Sequence, residues 1–203
     1  MMQGFRRRRG RLICTFESEE VAIMLSLIDQ FTGLLITEMA EPTAHHMATR
    51  ELGQLADGDP QSQDQLFAEL AAELAALEVT GGPGCGSEVD PVLQRLFPDA
   101  YPHDPGASRE FRRYTQSAQR NAKVRAATQV MADIDHLEGQ GRCVVPDDHV
   151  DSWLTTLTNL RLALAVRLGI QDAEEADRLA ELPEDDPRTW VLSIYEWLGW
   201  VQE

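Results

Sequence analysis

The sequence predicts a mainly α fold, a single-domain bundle of about five to seven helices with a minor two-stranded β element. Apolar residues recur at three- and four-residue spacing through most of the chain, and glycine and proline mark the ends of those runs. Only two short stretches, 11–16 and 142–145, read as strands. The 203 residues, 43% of them hydrophobic, suffice for one substantial core, so residues 11–203 are expected to form one helical domain behind a basic amino-terminal tail, 1–10.

After Arg6 to Arg9, the run Arg11-Leu12-Ile13-Cys14-Thr15-Phe16 is β-prone and too short for a helix before the acidic start at Glu17. A long helix is predicted over 18–39, with Val21, Met24, Leu25, Ile28, Phe31 and Leu35 on one stripe. Glu19 and Glu20 sit where its dipole favours negative charge. The next helix, 62–79, opens with the capping box Ser62-x-x-Gln65 and buries Leu66, Leu70, Leu74 and Leu77. The loop Gly81-Gly82-Pro83-Gly84-Cys85-Gly86 ends it. Asp90-Pro91 supplies an N-cap and a helix-initiating proline for a short helix, Val92 to Phe97, closed by Pro98. Asp104-Pro105 repeats the device for a helix of roughly 106–138 that turns Phe111, Tyr114, Ala118, Val130, Ile134 and Leu137 inward.

Gly139-Gln140-Gly141 stops that helix, and Arg142 to Val145 is the second strand. Pro146-Asp147-Asp148 leads into the most apolar helix, with Val150, Trp153, Leu154, Leu157, Leu160, Leu164 and Leu168 on one stripe and Gly169 as its stop. Trp153 is expected at the centre of the core. An acidic, partly helical connector over 172–186 precedes a final amphipathic helix bearing Trp190, Ile194, Trp197 and Val201.

Acidic residues outnumber basic ones 34 to 18, and a net charge of -16 repels phosphate backbones and anionic lipid. Direct nucleic-acid binding is therefore not expected. No apolar run approaches the roughly 20 residues of a membrane span. The stretch behind the arginine run also lacks the apolar region and cleavage site of a signal peptide, so the chain reads as cytoplasmic. Cys14, Cys85 and Cys143 are odd in number and far apart, which excludes a secreted disulfide scaffold and any C-x-x-C motif.

No G-x-S-x-G, H-E-x-x-H, P-loop or G-x-G-x-x-G occurs, so neither catalysis nor a cofactor is expected, and binding to another macromolecule is. His136, Cys143 and His149, with Asp133, Asp147, Asp148 and Asp151, match no zinc spacing; Asp147 and Asp148 are expected as helix caps, and no metal site is expected. His45-His46 lies in a polar loop and is expected to be exposed.

Two basic features stand out in this acidic chain. Arg109, Arg112, Arg113, Arg120, Lys123 and Arg125 are opposed only by Glu110, as a solvated face paired with acidic neighbours, as the docking face for an acidic partner protein or as a nucleic-acid contact. Arg161 lies at the edge of the apolar stripe, where an arginine needs a carboxylate. Asp99 or Asp104 is the expected structural partner, with partner recognition as the alternative.

The run Asp90-Pro91-x-x-x-Arg95-Leu96-x-Pro98-x-Ala100-Tyr101-x-x-Asp104 is followed by Glu110-Phe111-Arg112 and Lys123. Then come Trp153-x-x-x-Leu157-x-Asn159-Leu160-Arg161-Leu162-Ala163-Leu164-x-x-Arg167-Leu168-Gly169 and Tyr195-x-Trp197-Leu198. Together they resemble the actinobacterial family known as domain of unknown function 2017, specifically from about residue 88 to the end. Over 11–80 only the strand-then-long-helix plan agrees. That family is described as oxidative-stress transcriptional regulators of the AosR type. The resemblance implies redox sensing through cysteine and action on a protein partner, an extracytoplasmic-function sigma factor or RNA polymerase. A helical adaptor unconnected with transcription is the competing reading, and self-association is compatible with both.

The two strand candidates are each other's natural partners, because an isolated strand leaves its backbone groups unpaired. Pairing them would bring Cys14 and Cys143 close in space, with Cys85 in its glycine-rich loop as the alternative redox partner. The competing expectation is that the strand cysteines are small buried residues and Cys85 an incidental surface thiol.

Overall fold

The computed structural model describes residues 3–8, 11–37, 90–139, 141–183 and 185–202. Among them are three strands, β1 (Gln3–Arg8), β2 (Arg11–Thr15) and β3 (Arg142–Val145). Six α-helices accompany them: α1 (Ser18–Thr37), α2 (Pro91–Leu96), α3 (Pro105–Asp135), α4 (Val150–Leu168), α5 (Ala173–Ala180) and α6 (Pro187–Gln202). The fold is mainly α. The helix expected over 62–79, His45-His46 and Cys85 lie outside the described residues.

The sheet has one strand more than expected. Its order is β1-β2-β3, both pairings antiparallel, so β2 is central and the basic stretch expected as a tail supplies an edge strand. Phe5 explains why these residues are held down: its ring meets Trp153 edge-on with centroids 5.5 Å apart, while Phe16 stacks on the same indole at 6.1 Å. The arginines of β1 point elsewhere, Arg6, Arg7 and Arg8 being exposed. Charged exposed side chains suit an edge strand, since they discourage pairing with a second chain.

Helix starts follow the local chemistry. The Glu20 carboxylate accepts the Glu17 backbone N–H at 2.9 Å, one half of a capping box for α1. Asp90 accepts from Val92 N–H at 2.7 Å ahead of Pro91, and Asp104 from Ala107 N–H at 2.9 Å ahead of Pro105. Asp90 also accepts from Arg167 Nη2 at 2.7 Å, which fastens the start of α2 to the end of α4. Gly169 ends α4 in the left-handed conformation (φ 75°), with Ile170 N–H donating to Ala165 O at 2.8 Å.

Trp153 sits in the core at 2% exposure, with Met24, Ile28, Leu35, Val130, Leu157, Val191 and Leu198 also buried. The α4 stripe is buried at Trp153, Leu157, Leu160, Leu164 and Leu168, whereas Leu154, expected with them, is 46% exposed. One residue beyond Trp153, it is rotated about 100° around the helix and away from the core.

The largest departure is in α3. Phe111 (39% exposed), Tyr114 (67%) and Ala118 face outward instead of inward, and the buried apolar residues of α3 all lie in its second half, at Ala126, Ala127, Val130 and Ile134. Length accounts for this. At 31 residues α3 is about 46 Å long, against about 28 Å for the 19-residue α4 on which it packs, so its first half runs past its main support.

Candidate redox pair and docking surface

Strand register sets the first candidate site. β2 and β3 pair so that Leu12 faces Val145, Ile13 faces Val144 and Cys14 faces Cys143. Phe16 N–H donates to Gly141 O at 2.9 Å. Two residues back along β2 and two forward along β3, Cys14 and Cys143 form the next pair to exchange backbone bonds, for which the Cα separation is about 5.5 Å. That lies inside the range of roughly 4.4–6.8 Å over which a disulfide can form. Both cysteines are free thiols, 2% and 0% exposed, on the inner face of the sheet with Phe16 and Val145. Gly141 secures the register. Its φ is 72°, and a Cβ there would come within 1.9 Å of Phe16 O, so only glycine lets the two segments meet.

Cys14 is held in its protonated form. A hydrogen bond with the Cys143 thiol, reinforced by burial, pushes the Cys14 pKa up from its ordinary 9.0. Thiolate, the species that reacts with oxidants, is thereby suppressed while the sheet is closed. The Cys143 thiol also donates to Asp133 O near the end of α3, at 3.8 Å.

Asp133 is the hub of this region and was not legible as one in the sequence. Its carboxylate, 8% exposed, accepts from Trp153 Nε1 at 2.8 Å and lies 2.9 Å from His149 Nδ1. One acid thus satisfies the indole of the core tryptophan and the imidazole at the entrance to α4. The available signal was its position: Asp133 shares a helix face with Val130 and Ile134, where a carboxylate must have a buried donor. His136 bonds the Ala132 carbonyl instead. Asp147 and Asp148 lie in a 3₁₀ turn, Asp147–His149, without the side-chain cap expected of them; Asp147 pairs with Arg7 at 3.2 Å, joining β1 to this entrance. Among the described residues no group of three or more His, Cys, Asp or Glu is placed to hold a metal ion.

The basic segment of α3 divides in two. Arg120, 7% exposed, and half-buried Lys123 turn inward, with charges 5.8 and 5.7 Å from the Phe97 ring centroid. Lys123 Nζ donates to the buried Asn159 at 2.8 Å, and burial lowers its pKa. Neither belongs to an open docking face, contrary to the expectation. Arg109, Arg112 and Arg113 remain near the surface. Arg112 pairs with Asp99, Arg113 lies 5.5 Å from the centroid of the Tyr114 ring, and Tyr101 meets Phe111 edge-on at 6.1 Å. The result is an exposed aromatic cluster, Tyr101, Phe111 and Tyr114, rimmed by arginine, the composition enriched at protein interfaces. Tyr101 and the exposure of the two α3 aromatics were missed in the sequence because helical periodicity cannot tell an unsupported apolar face from a buried one.

Arg161 has no carboxylate partner among the described residues. Asp99 is taken by Arg112 and Asp104 caps α3, so the expected ion pair is corrected to an amide and a ring. Arg161 Nη1 donates to Gln202 Oε1 at 3.0 Å, and its guanidinium lies 4.9 Å from the Tyr195 ring centroid.

The chain matches, over residues 2–203, the model of the family described as "Domain of unknown function (DUF2017)". It is 30% identical over 153 residues to the "Putative oxidative stress regulator AosR" of Mycobacterium leprae, covering 66% of this chain and 67% of that protein. The "Oxidative stress regulator AosR" of Mycobacterium tuberculosis and its Mycobacterium bovis counterpart are 30% identical over 127 residues, 56% of either chain. The chain thus spans little more than half the length of those two relatives. No solved structure matches it. With the family match running the length of the molecule described above, the chain belongs to the DUF2017 family.

Proposed function

We propose that the protein is a cytoplasmic, non-enzymatic oxidative-stress transcriptional regulator that senses oxidant through Cys14 and Cys143 and acts by binding a sigma factor or RNA polymerase. The observation that carries the reading is the facing of the two cysteines across β2 and β3. The names of the relatives supply the physiological context.

A peroxide oxidises one thiolate to a sulfenic acid, releasing water. The second thiol then displaces a further water to close the disulfide, two electrons having passed to the peroxide. Because both thiols are buried and Cys14 is held protonated, the reaction waits on an opening of the sheet. The bond then staples β2 to β3 and removes the thiol proton that Cys143 gives to Asp133 O.

Asp133 stands 22 residues along α3 from Phe111, so a stretch of about 33 Å of one helix joins the redox pair to the aromatic and arginine cluster. An acidic surface on the partner suits Arg109 and Arg113, which form paired bonds with carboxylates and steer encounter.

Affinity capture from the native host, with and without brief peroxide treatment, tests the reading. Polymerase subunits or a sigma factor should be recovered in a peroxide-dependent way, and the dependence should vanish with Cys14→Ala. Recovery that leaves out the transcription machinery would favour a helical adaptor instead. An Arg109→Glu, Arg113→Glu double variant that recovers the partner undiminished would remove α3 from the interface.

A further inference from the structure

We infer that the cleft between α4, α5 and α6 is a binding site for a compact organic anion, a carboxylate or phosphate monoester, organised by Arg161 and Arg95. The cleft has a volume of about 490 Å³, within the range of small-molecule sites. Leu162, Ala165, Ile170 and Ala176 give it an apolar lining, and Arg95, Arg161 and Tyr195 provide polar and aromatic groups.

Arg161 is positioned in advance. Its guanidinium is held by Gln202 Oε1 at 3.0 Å and by the Tyr195 ring. Gly199 makes room for it, since a Cβ there would lie 3.2 Å from the guanidinium carbon. Gln202 is itself anchored, its Nε2 donating to Thr158 Oγ1 at 2.8 Å. A planar fork fixed in this way loses little freedom when it meets a carboxylate or phosphate.

Among the half-buried arginines of the described residues, Arg112, Arg167 and Arg188 each pair with a carboxylate. Arg161 has no counter-ion among the described residues, in a chain of net charge -16, and its buried Nε has no hydrogen-bond partner. Such an atom calls for an explanation. The acid on the cleft wall, Asp172, caps α5 by accepting Glu175 N–H at 3.0 Å, so its carboxylate is already engaged. Two arginines without carboxylate partners among the described residues, beside an apolar floor, are suited to a small anion with a short hydrocarbon body. The site is separate from both the cysteine pair and the exposed end of α3.

Calorimetric titration of the full chain at low ionic strength with succinate, glycerol 3-phosphate and inorganic phosphate tests this. At least one should bind saturably at one per chain, and the comparison distinguishes carboxylate from phosphate recognition. Arg161→Met, which keeps the packing on Tyr195 but removes the charge, should weaken binding tenfold or more. Arg95→Ala, at an exposed position, should weaken it severalfold and decides the matter should the Arg161 variant fail to fold. Arg125→Ala, an exposed arginine outside the cleft, should bind as the parent does. Absence of saturable binding by all three probes, undiminished binding by Arg95→Ala, or an equal loss with Arg125→Ala would overturn the proposal.

Discussion

The two halves of α3 obey different rules although one helix contains both. The second half, from about Arg120 to Asp135, lies against the core: Ala127, Val130 and Ile134 are buried, and Asp133 ties together Trp153, His149 and the Cys143 thiol. The first half carries larger side chains, Phe111 and Tyr114, yet leaves them in the open beside Tyr101 and three arginines. Apolar side chains contribute to stability at one end and present a surface at the other. What separates them is whether another element lies against them, which neither composition nor periodicity records.

The comparison can be broken most forcibly at its aromatic residues. Trp153→Ala empties a site at 2% exposure and abandons the hydrogen bond that its indole donates to Asp133, so it should cost about 3–5 kcal/mol. Tyr114→Ala, at 67% exposure, should change stability by less than about 0.5 kcal/mol. Chemical denaturation of both variants checks the pair. Equal losses would show that the first half of α3 is as much core as the second.

Charge sharpens it next. Arg120→Glu puts a carboxylate at a 7% exposed position against the Phe97 ring and should destabilise by about 3 kcal/mol. Arg113→Glu, on the open half, should leave the melting temperature almost unmoved while weakening partner recovery.

A smaller effect comes from pH. The folded Cys14 pKa is raised above its ordinary 9.0, so its contribution to stability is complete below that value. It is lost as pH rises further, because the unfolded chain ionises first. At one unit above, the loss is about 1.4 kcal/mol. Cys14→Ala should flatten the alkaline side of the stability profile, and an unchanged profile would show that the thiol is not held protonated.

Much of this was legible in the sequence because it is written in short-range chemistry. Asp90-Pro91 and Asp104-Pro105 announce two helix starts through the same pairing of a side-chain acceptor with a fixed backbone, and Gly169 announces a stop. The β2–β3 pairing was accessible through the need of two short strands for partners, and with it the neighbourhood of Cys14 and Cys143.

What escaped is set by which side chains meet in the folded molecule. β1 was hidden behind the arginines, since a single phenylalanine, Phe5, is what packs it on Trp153. Arg161 was expected to seek a carboxylate, because the sequence shows which acids exist but not that Arg112 and the α3 cap already engage Asp99 and Asp104. The inward turn of Arg120 and Lys123 depends likewise on where Phe97 comes to rest.

The central claim, that the buried end of the molecule contains a thiol switch, is tested most directly by mapping disulfides in the full chain. Peptides would be analysed by mass spectrometry after mild peroxide treatment, with free thiols alkylated and no reductant added. The account predicts a cross-linked species joining the Cys14 and Cys143 peptides, absent before treatment and lost on later reduction, with Cys85 still alkylated. Full alkylation of all three cysteines both before and after treatment, or a bond that joins Cys85 to either strand cysteine, would contradict it.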